Sequence, residues 1–170
     1  MIYPVSEDTL LLKKQLENRQ LKGKKVLEVG TGNGLIAKTM LKKGANVTAS
    51  DINQNALNRL PNEIKCINSD LFENISGRFD IIIFNPPYLP EEDDHDLEGS
   101  ETWIGGNKGV ELTRMFLKDA SNHLKPEGEA LIIVSSLADY QELTEDFDLE
   151  LVDEEKLWFE KLFVMRLMIE

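Results

Sequence analysis

The stretch Phe79–Phe84, FDIIIF, carries a single polar residue, Asp80. A strand of that composition has no polar face to offer water, so it requires cover on both sides, as inside a parallel sheet. The chain then passes directly into Asn85-Pro86-Pro87-Tyr88. Proline fixes φ and has no N–H to give, so two in succession end a ladder and stiffen the turn. A buried strand therefore delivers one primary amide and one phenol to the end of a sheet.

The remainder alternates in the same sense. Ser6 is placed to cap a first helix, with Glu7 and Asp8 in its first turn and an apolar face from Leu10, Leu11, Leu12 and Leu16; Gly23 closes this segment. KVLEVG reads as a buried strand entering GTGNG, followed by a helix from about Leu35 to Lys43 that Gly44 ends. NVTASD is a strand, NQNALNRL a helix, and IKCINSD a further strand before FDIIIF. Gly109 to Leu124 reads as helix, KPEGE as a turn and EALIIVS as a strand. A short helix near Asp139–Thr144 precedes FDLELVDEE and KLFVMRLMI, close enough to pair antiparallel. Strands alternating with helices predict a doubly wound α/β sheet, and 170 residues suit one compact domain. The long irregular stretch is Asn85–Asn107, which leaves a strand at its carboxyl end, where open α/β sheets bind ligands.

Gly30, Gly32 and Gly34 occupy the first strand-to-helix turn, where absent side chains let a ligand approach the backbone. A dinucleotide fingerprint would place its third glycine at Leu35, so G-x-G-x-G departs from it. Glu28 precedes the glycines; a carboxylate there repels a pyrophosphate and suits a cation. S-adenosylmethionine has no phosphate and carries an ammonium and a sulfonium. Asp51 ends the second strand, where a carboxylate can take both ribose hydroxyls. Asp70 ends the third, placed to accept from an adenine amino group. Each acid alone could be a cap or a solvated turn; three at successive strand ends behind the glycines favour a nucleoside site.

Asn85 acquires a chemical setting from this. Its side-chain carbonyl and the backbone carbonyl of Pro86 can each accept one hydrogen bond from an NH₂ group. Two acceptors fix a planar amide or aromatic amine with its nitrogen in line with a methyl group. The lone pair of such a nitrogen is delocalised, so orientation and desolvation must supply much of the acceleration. The turn needs no general base, because the nitrogen becomes acidic only as it is methylated. Pro86 and Pro87 stiffen the turn, and Tyr88 offers a flat face to the substrate plane.

Composition excludes several classes. The net charge of −12 argues against a chain that grips nucleic acid unaided, its basic residues being scattered among more numerous acids. No apolar stretch is long enough to span a bilayer, and the first residues lack the basic head of a signal peptide. Cys66 is the sole cysteine, so no internal disulfide can form, and a reducing, cytoplasmic setting follows. His95 and His123 are far from each other and from Cys66, which leaves no metal site of the chain's own.

Through EVGTGNG and NPPY the chain resembles class I S-adenosylmethionine-dependent methyltransferases of planar amino groups. YPVSEDTLLL, NSDLF and TWIGGNKG make it similar to the HemK-type glutamine methyltransferases of class I translation release factors, in their short eukaryotic and archaeal branch. The resemblance implies a single Rossmann-like methyltransferase domain over residues 1–170, without the helical N-terminal domain of bacterial relatives. It implies a mostly parallel seven-stranded sheet with a C-terminal antiparallel strand and helices on both faces. Cofactor contacts carried over by motif fall on Thr9, Glu28, Gly30, Gly32, Asp51, Asp70, Leu71 and Asn85. Substrate contacts fall on Asn85, Pro86 and Tyr88, and the catalytic turn is Asn85, Pro86, Pro87 and Tyr88. The implied activity is N5-methylation of the glutamine in a release factor's Gly-Gly-Gln loop. The alternatives are adenine-N6 methylation of RNA or DNA, and histone-lysine methylation. The resemblance also implies a heterodimer with a small zinc-binding activator subunit, any zinc being the partner's, and a cytoplasmic site of action with a nuclear pool allowed.

In the implied sheet order IKCINSD is an edge strand, and Ile64, Cys66 and Ile67 are expected to meet the activator there. The segment Glu91–Glu98 packs six acids into eight residues. It suits a solvated loop or one that steers a basic protein substrate. Its faint likeness to a calcium loop fails, because the closing glutamate position is Gly105.

Overall fold

The computed structural model describes residues 6–87 and 110–169. In chain order these form α1 (Glu7–Glu17), β1 (Lys25–Val29), α2 (Leu35–Lys42), β2 (Asn46–Asp51), α3 (Gln54–Leu57), β3 (Lys65–Asn68) and β4 (Phe79–Phe84). After the undescribed stretch come α4 (Glu111–His123), β5 (Leu124–Ser135), α5 (Gln141–Asp146), β6 (Leu149–Lys156) and β7 (Lys161–Met168). The strands build one seven-stranded sheet in the order β3-β2-β1-β4-β5-β7-β6. Pairings from β3 to β5 are parallel, and β7 runs antiparallel to both of its neighbours. The strand order reverses between β1 and β4, the switch point at which such sheets open a crevice.

Strand β4 behaves as its composition requires. Ile81 and Ile83 pack with Leu12, Leu16, Ile36 and Met40 on the face that α1 and α2 cover. Ile82 and Phe84 pack with Phe116, Leu117 and Leu143 beneath α4 and α5. The sheet is thus sandwiched between two apolar layers, each fully buried side chain contributing roughly 1.5–3 kcal/mol.

The differences from the sequence expectation have local causes. Ser6 occupies the N-cap of α1 but makes no side-chain cap bond; its hydroxyl donates to the Asp8 carboxylate instead. Leu10 lies outside the apolar stripe and is half exposed. The helix expected over NQNALNRL is reduced to Gln54–Leu57, capped by the Asn53 side chain. KPEGE is not a separate turn: β5 already begins at Leu124 and carries the segment as an irregularity, its register slipping between Phe79 and Ile81. Gly128 permits this, since a Cβ there would stand 2.7 Å from the Lys125 carbonyl oxygen. Strand β3 is an edge, as expected, but Ile64 points into the core and Ile67 packs partly against it. Cys66 alone of the three is exposed.

Because β7 is antiparallel to β5, the β6–β7 turn lies at the carboxyl end of β5, the end where β1, β2 and β4 also finish. Its tip exposes Trp158 and Phe159 fully or nearly so. Ser136 and Lys161 exchange backbone and side-chain hydrogen bonds that fasten this hairpin to the turn after β5.

Candidate active site

Three glycines between β1 and α2 take left-handed backbone angles: Gly30 at φ +65, Gly32 at +52 and Gly34 at +74. A side chain would be strained at each, so the alternating pattern is a demand of the turn. At Gly34 space is lacking too, a Cβ falling 2.3 Å from the Leu60 side chain. Asn33 Oδ1 accepts from the Leu35 N–H at 2.8 Å, holding the turn just ahead of the helix.

Two acids brace this loop. Glu28 is buried, and its Oε2 accepts from the Thr31 hydroxyl at 2.7 Å and the Ala37 N–H at 2.9 Å. Desolvation pushes its carboxyl from 4.5 up to about 8, the two hydrogen bonds drawing it partway back. Asp51, at the end of β2, accepts from Gly32 N through Oδ2 and Asn53 N through Oδ1, at 2.9 and 2.8 Å. Each oxygen of a carboxylate has a second lone-pair direction, so both retain capacity for a hydroxyl. Beside the ribose-facing role expected of it, Asp51 is thus a structural strap that the sequence does not reveal.

Asp70 is exposed just beyond β3. Leu71 after it has φ +41, a left-handed angle uncommon outside glycine. Its carbonyl accepts from the buried Ser69 hydroxyl at 3.1 Å, which in turn accepts from Asn74 N at 3.0 Å. Such backbone strain gathers where a site fixes a particular amide direction. Ile52, next to Asp51, is 72 % exposed at the same strand end, an apolar face suited to a nucleoside base. The motif reading missed it; an apolar residue directly after a strand-ending acid was the available signal.

Asn85 follows β4 with Pro86 buried and Pro87 half-buried behind it. Its Nδ2 donates to the Thr9 hydroxyl at 3.4 Å, and its Oδ1 is buried with no partner among the described residues. A buried acceptor left without a partner costs about 1–3 kcal/mol, which a ligand's donor would recover. Thr9, Glu28, Gly30, Gly32, Asp51, Asp70, Leu71, Asn85 and Pro86 thus lie at or beside the carboxyl ends of β1 to β4. Tyr88, TWIGGNKG and the acidic segment Glu91–Glu98 lie outside the described residues. Lys13, Lys38, Lys42 and Lys43 line a cleft beside Pro61 on the α1–α2 face together with Glu17, which pairs with Lys13.

The methyltransferase small domain family matches residues 5–157. A Methanocaldococcus jannaschii protein, provisionally named a protein N5-glutamine methyltransferase, is 37% identical, the match covering 96% of this chain and 90% of that protein. The release factor glutamine methyltransferase of Streptococcus pneumoniae is 34% identical over 61% of this chain and 43% of its own length. The chain therefore spans nearly all of the archaeal relative and less than half of the bacterial one. Among solved structures, the Mtq2-Trm112 complex of E. cuniculi, responsible for methylation of the eRF1 translation termination factor, superimposes with a TM-score of 0.79. That pair is 26% identical and covers 99% of both chains.

Proposed function

The chain belongs to the methyltransferase small domain family, and we propose that within it this protein is an S-adenosylmethionine-dependent protein N5-glutamine methyltransferase acting on a class I release factor. The observation that carries the reading is the buried Oδ1 of Asn85, an acceptor facing away from Thr9 with no donor among the described residues. A primary amide substrate supplies the missing donor. The glycine turn, the Asp51 carboxylate and the exposed Ile52 fit a nucleoside, and a buried Glu28 fits a ligand with cationic centres.

Bound there, S-adenosylmethionine supplies an electrophilic methyl group on a sulfonium. Asp51 is placed to accept from ribose hydroxyls, and the glycines admit the ligand to the backbone. Asn85 Oδ1 and the Pro86 carbonyl accept the two hydrogens of the substrate NH₂, leaving the face of its nitrogen, where the lone pair lies, turned to the methyl group. Orientation of this kind is worth several kcal/mol when the reacting atoms are held close. The nitrogen gains the methyl carbon as the sulfonium C–S bond breaks to leave a neutral thioether, and it releases one proton to solvent, so the chain needs no redox partner and no strong base.

A protein substrate agrees with the rim of the site. Trp158 and Phe159 stand exposed at the same end of the sheet, a surface of the kind that macromolecular partners cover. The activator is proposed to be a small zinc-binding subunit that adds a strand to β3, with Cys66 at the contact; Ile64 is already committed to the chain's own core. The same reading places the heterodimer in the cytoplasm, with a nuclear pool allowed.

The test is methylation of purified release factor by the chain co-expressed with such a subunit, located by peptide mass spectrometry. Mass added at the glutamine of the Gly-Gly-Gln loop is the expected result. Label that appears only on nucleic acid, or on lysine, would overturn it.

A further inference from the structure

Asp8 is an acid in the first turn of α1 that is only 1 % exposed, although an acid serving the helix dipole alone has no reason to leave water. Its Oδ1 gathers the Ser6 hydroxyl, the Thr9 N–H and, at 3.2 Å, the Thr9 hydroxyl. Thr9 is itself buried, and its oxygen accepts from Asn85 Nδ2. The polar line therefore runs from Asn85 through Thr9 to Asp8, joining the first turn of α1 to the end of β4.

We propose that Asp8 is a positioning residue that fixes the orientation of the Asn85 amide through the Thr9 hydroxyl. A hydroxyl has one proton to donate. With that proton directed at the carboxylate, Thr9 presents only lone pairs to Asn85, so the amide must turn its NH₂ toward Thr9. Oδ1 is then forced to the other side, where it is buried with no partner among the described residues. Rotating the amide by half a turn would set its oxygen against the Thr9 lone pairs and its NH₂ against the substrate's own NH₂. Two repulsions would replace two attractions. Asp8 thereby decides whether the site offers an acceptor or a donor to its substrate.

The proposal rests on the reading of Asn85 as the acceptor for a substrate amide, and its tests separate the two. Asp8→Asn is nearly isosteric, but its NH₂ can donate to Thr9 and release the hydroxyl proton toward Asn85. In the heterodimer this variant is expected to lower kcat about tenfold or more while cofactor affinity stays within about twofold. A merely structural role would instead depress melting temperature and cofactor affinity together. If Asp8→Asn fails to fold, Thr9→Val, which keeps the side-chain shape and removes the acceptor, is expected to show the same loss of kcat. A folded Asp8→Asn or Thr9→Val enzyme with wild-type kcat would overturn the proposal. The second readout needs no turnover: the two Nδ2 protons of Asn85, observed by NMR in labelled protein, should shift and exchange faster in Asp8→Asn. Unchanged resonances would overturn the relay. Resonances that shift in Asp8→Asn, together with a wild-type protein that methylates no glutamine, would sustain the relay and sink the substrate reading.

Discussion

Glu28 and Ala37 are joined by a 2.9 Å hydrogen bond from the first turns of α2 to a buried carboxylate, tying the end of β1 to the helix beyond the glycine turn. The folded carboxyl titrates at about 8, against 4.5 when ordinary. The fold therefore holds a proton that the unfolded chain releases above 4.5. Its stabilising contribution is full below that value and declines as pH rises through about 8. Wild-type stability should fall by roughly a few kcal/mol across this window. In Glu28→Gln the decline should be smaller by that amount, as chemical denaturation at pH 5 and pH 8.5 would reveal. Equal pH dependence in the two proteins would remove Glu28 as the titrating group.

Cofactor binding should draw the same proton out. A cationic ligand favours the ionised carboxylate, so at pH 7 the wild-type protein should release close to one proton per cofactor bound. Calorimetry in two buffers of different ionisation enthalpy measures this directly. Glu28→Gln should release none and should bind more weakly.

Removing the Asn85 amide should abolish transfer and spare the cofactor. Asn85→Ala is expected to lose about 2–4 kcal/mol of transition-state positioning, or roughly 30- to 1,000-fold in kcat. Its cofactor dissociation constant should stay within several-fold of wild type. Substantial turnover would make the turn a structural exit from β4 and nothing more.

Asp51→Ala should damage two properties at once. Losing the grip on ribose costs about 1.5–3 kcal/mol of cofactor affinity. Losing the bonds to Gly32 and Asn53 should also lower the melting temperature of the ligand-free protein. Asp51→Asn, which can keep one acceptor, should fall between. An alanine variant with unchanged cofactor affinity would place the residue outside the site.

Cys66→Lys should separate the heterodimer and leave the site on the other strands intact. The side chain is exposed on β3, and no strand pairs with its outer side among the described residues. Size-exclusion chromatography of the co-expressed pair reads this. A stable complex carrying the lysine would move the interface to another face.

Much of this was legible in the sequence because the decisive residues obey short-range rules. FDIIIF has no polar face, so its double cover follows from composition. Alternating glycines before a helix imply the positive φ angles found. Acids at strand ends are placed by the period of the alternation. What stayed hidden depends on contacts across long sequence separations. Thr9 and Asn85 meet only because α1 folds back over the sheet, and no local pattern shows that the Thr9 hydroxyl is already committed to Asp8. Ile64 precedes the edge strand and reads as surface, yet the end of the crossover turns it inward. KPEGE has every mark of a turn, but pairing of Phe79 with Leu124 claims the chain before the turn begins.

The described site residues, from Thr9 to Pro87, all lie in α1 and in the first four strands and their loops, while the aromatic hairpin at the rim lies near the end of the chain. The gene is thus divided in the same way as the chemistry. Recombination downstream of codon 87 would deliver a new rim to an old nucleoside cradle, provided that the incoming β5 kept apolar residues where Ile132 and Ile133 meet the two layers. On the proposed function, such an exchange would change what meets the rim while the residues at the carboxyl ends of β1 to β4 stayed as they are.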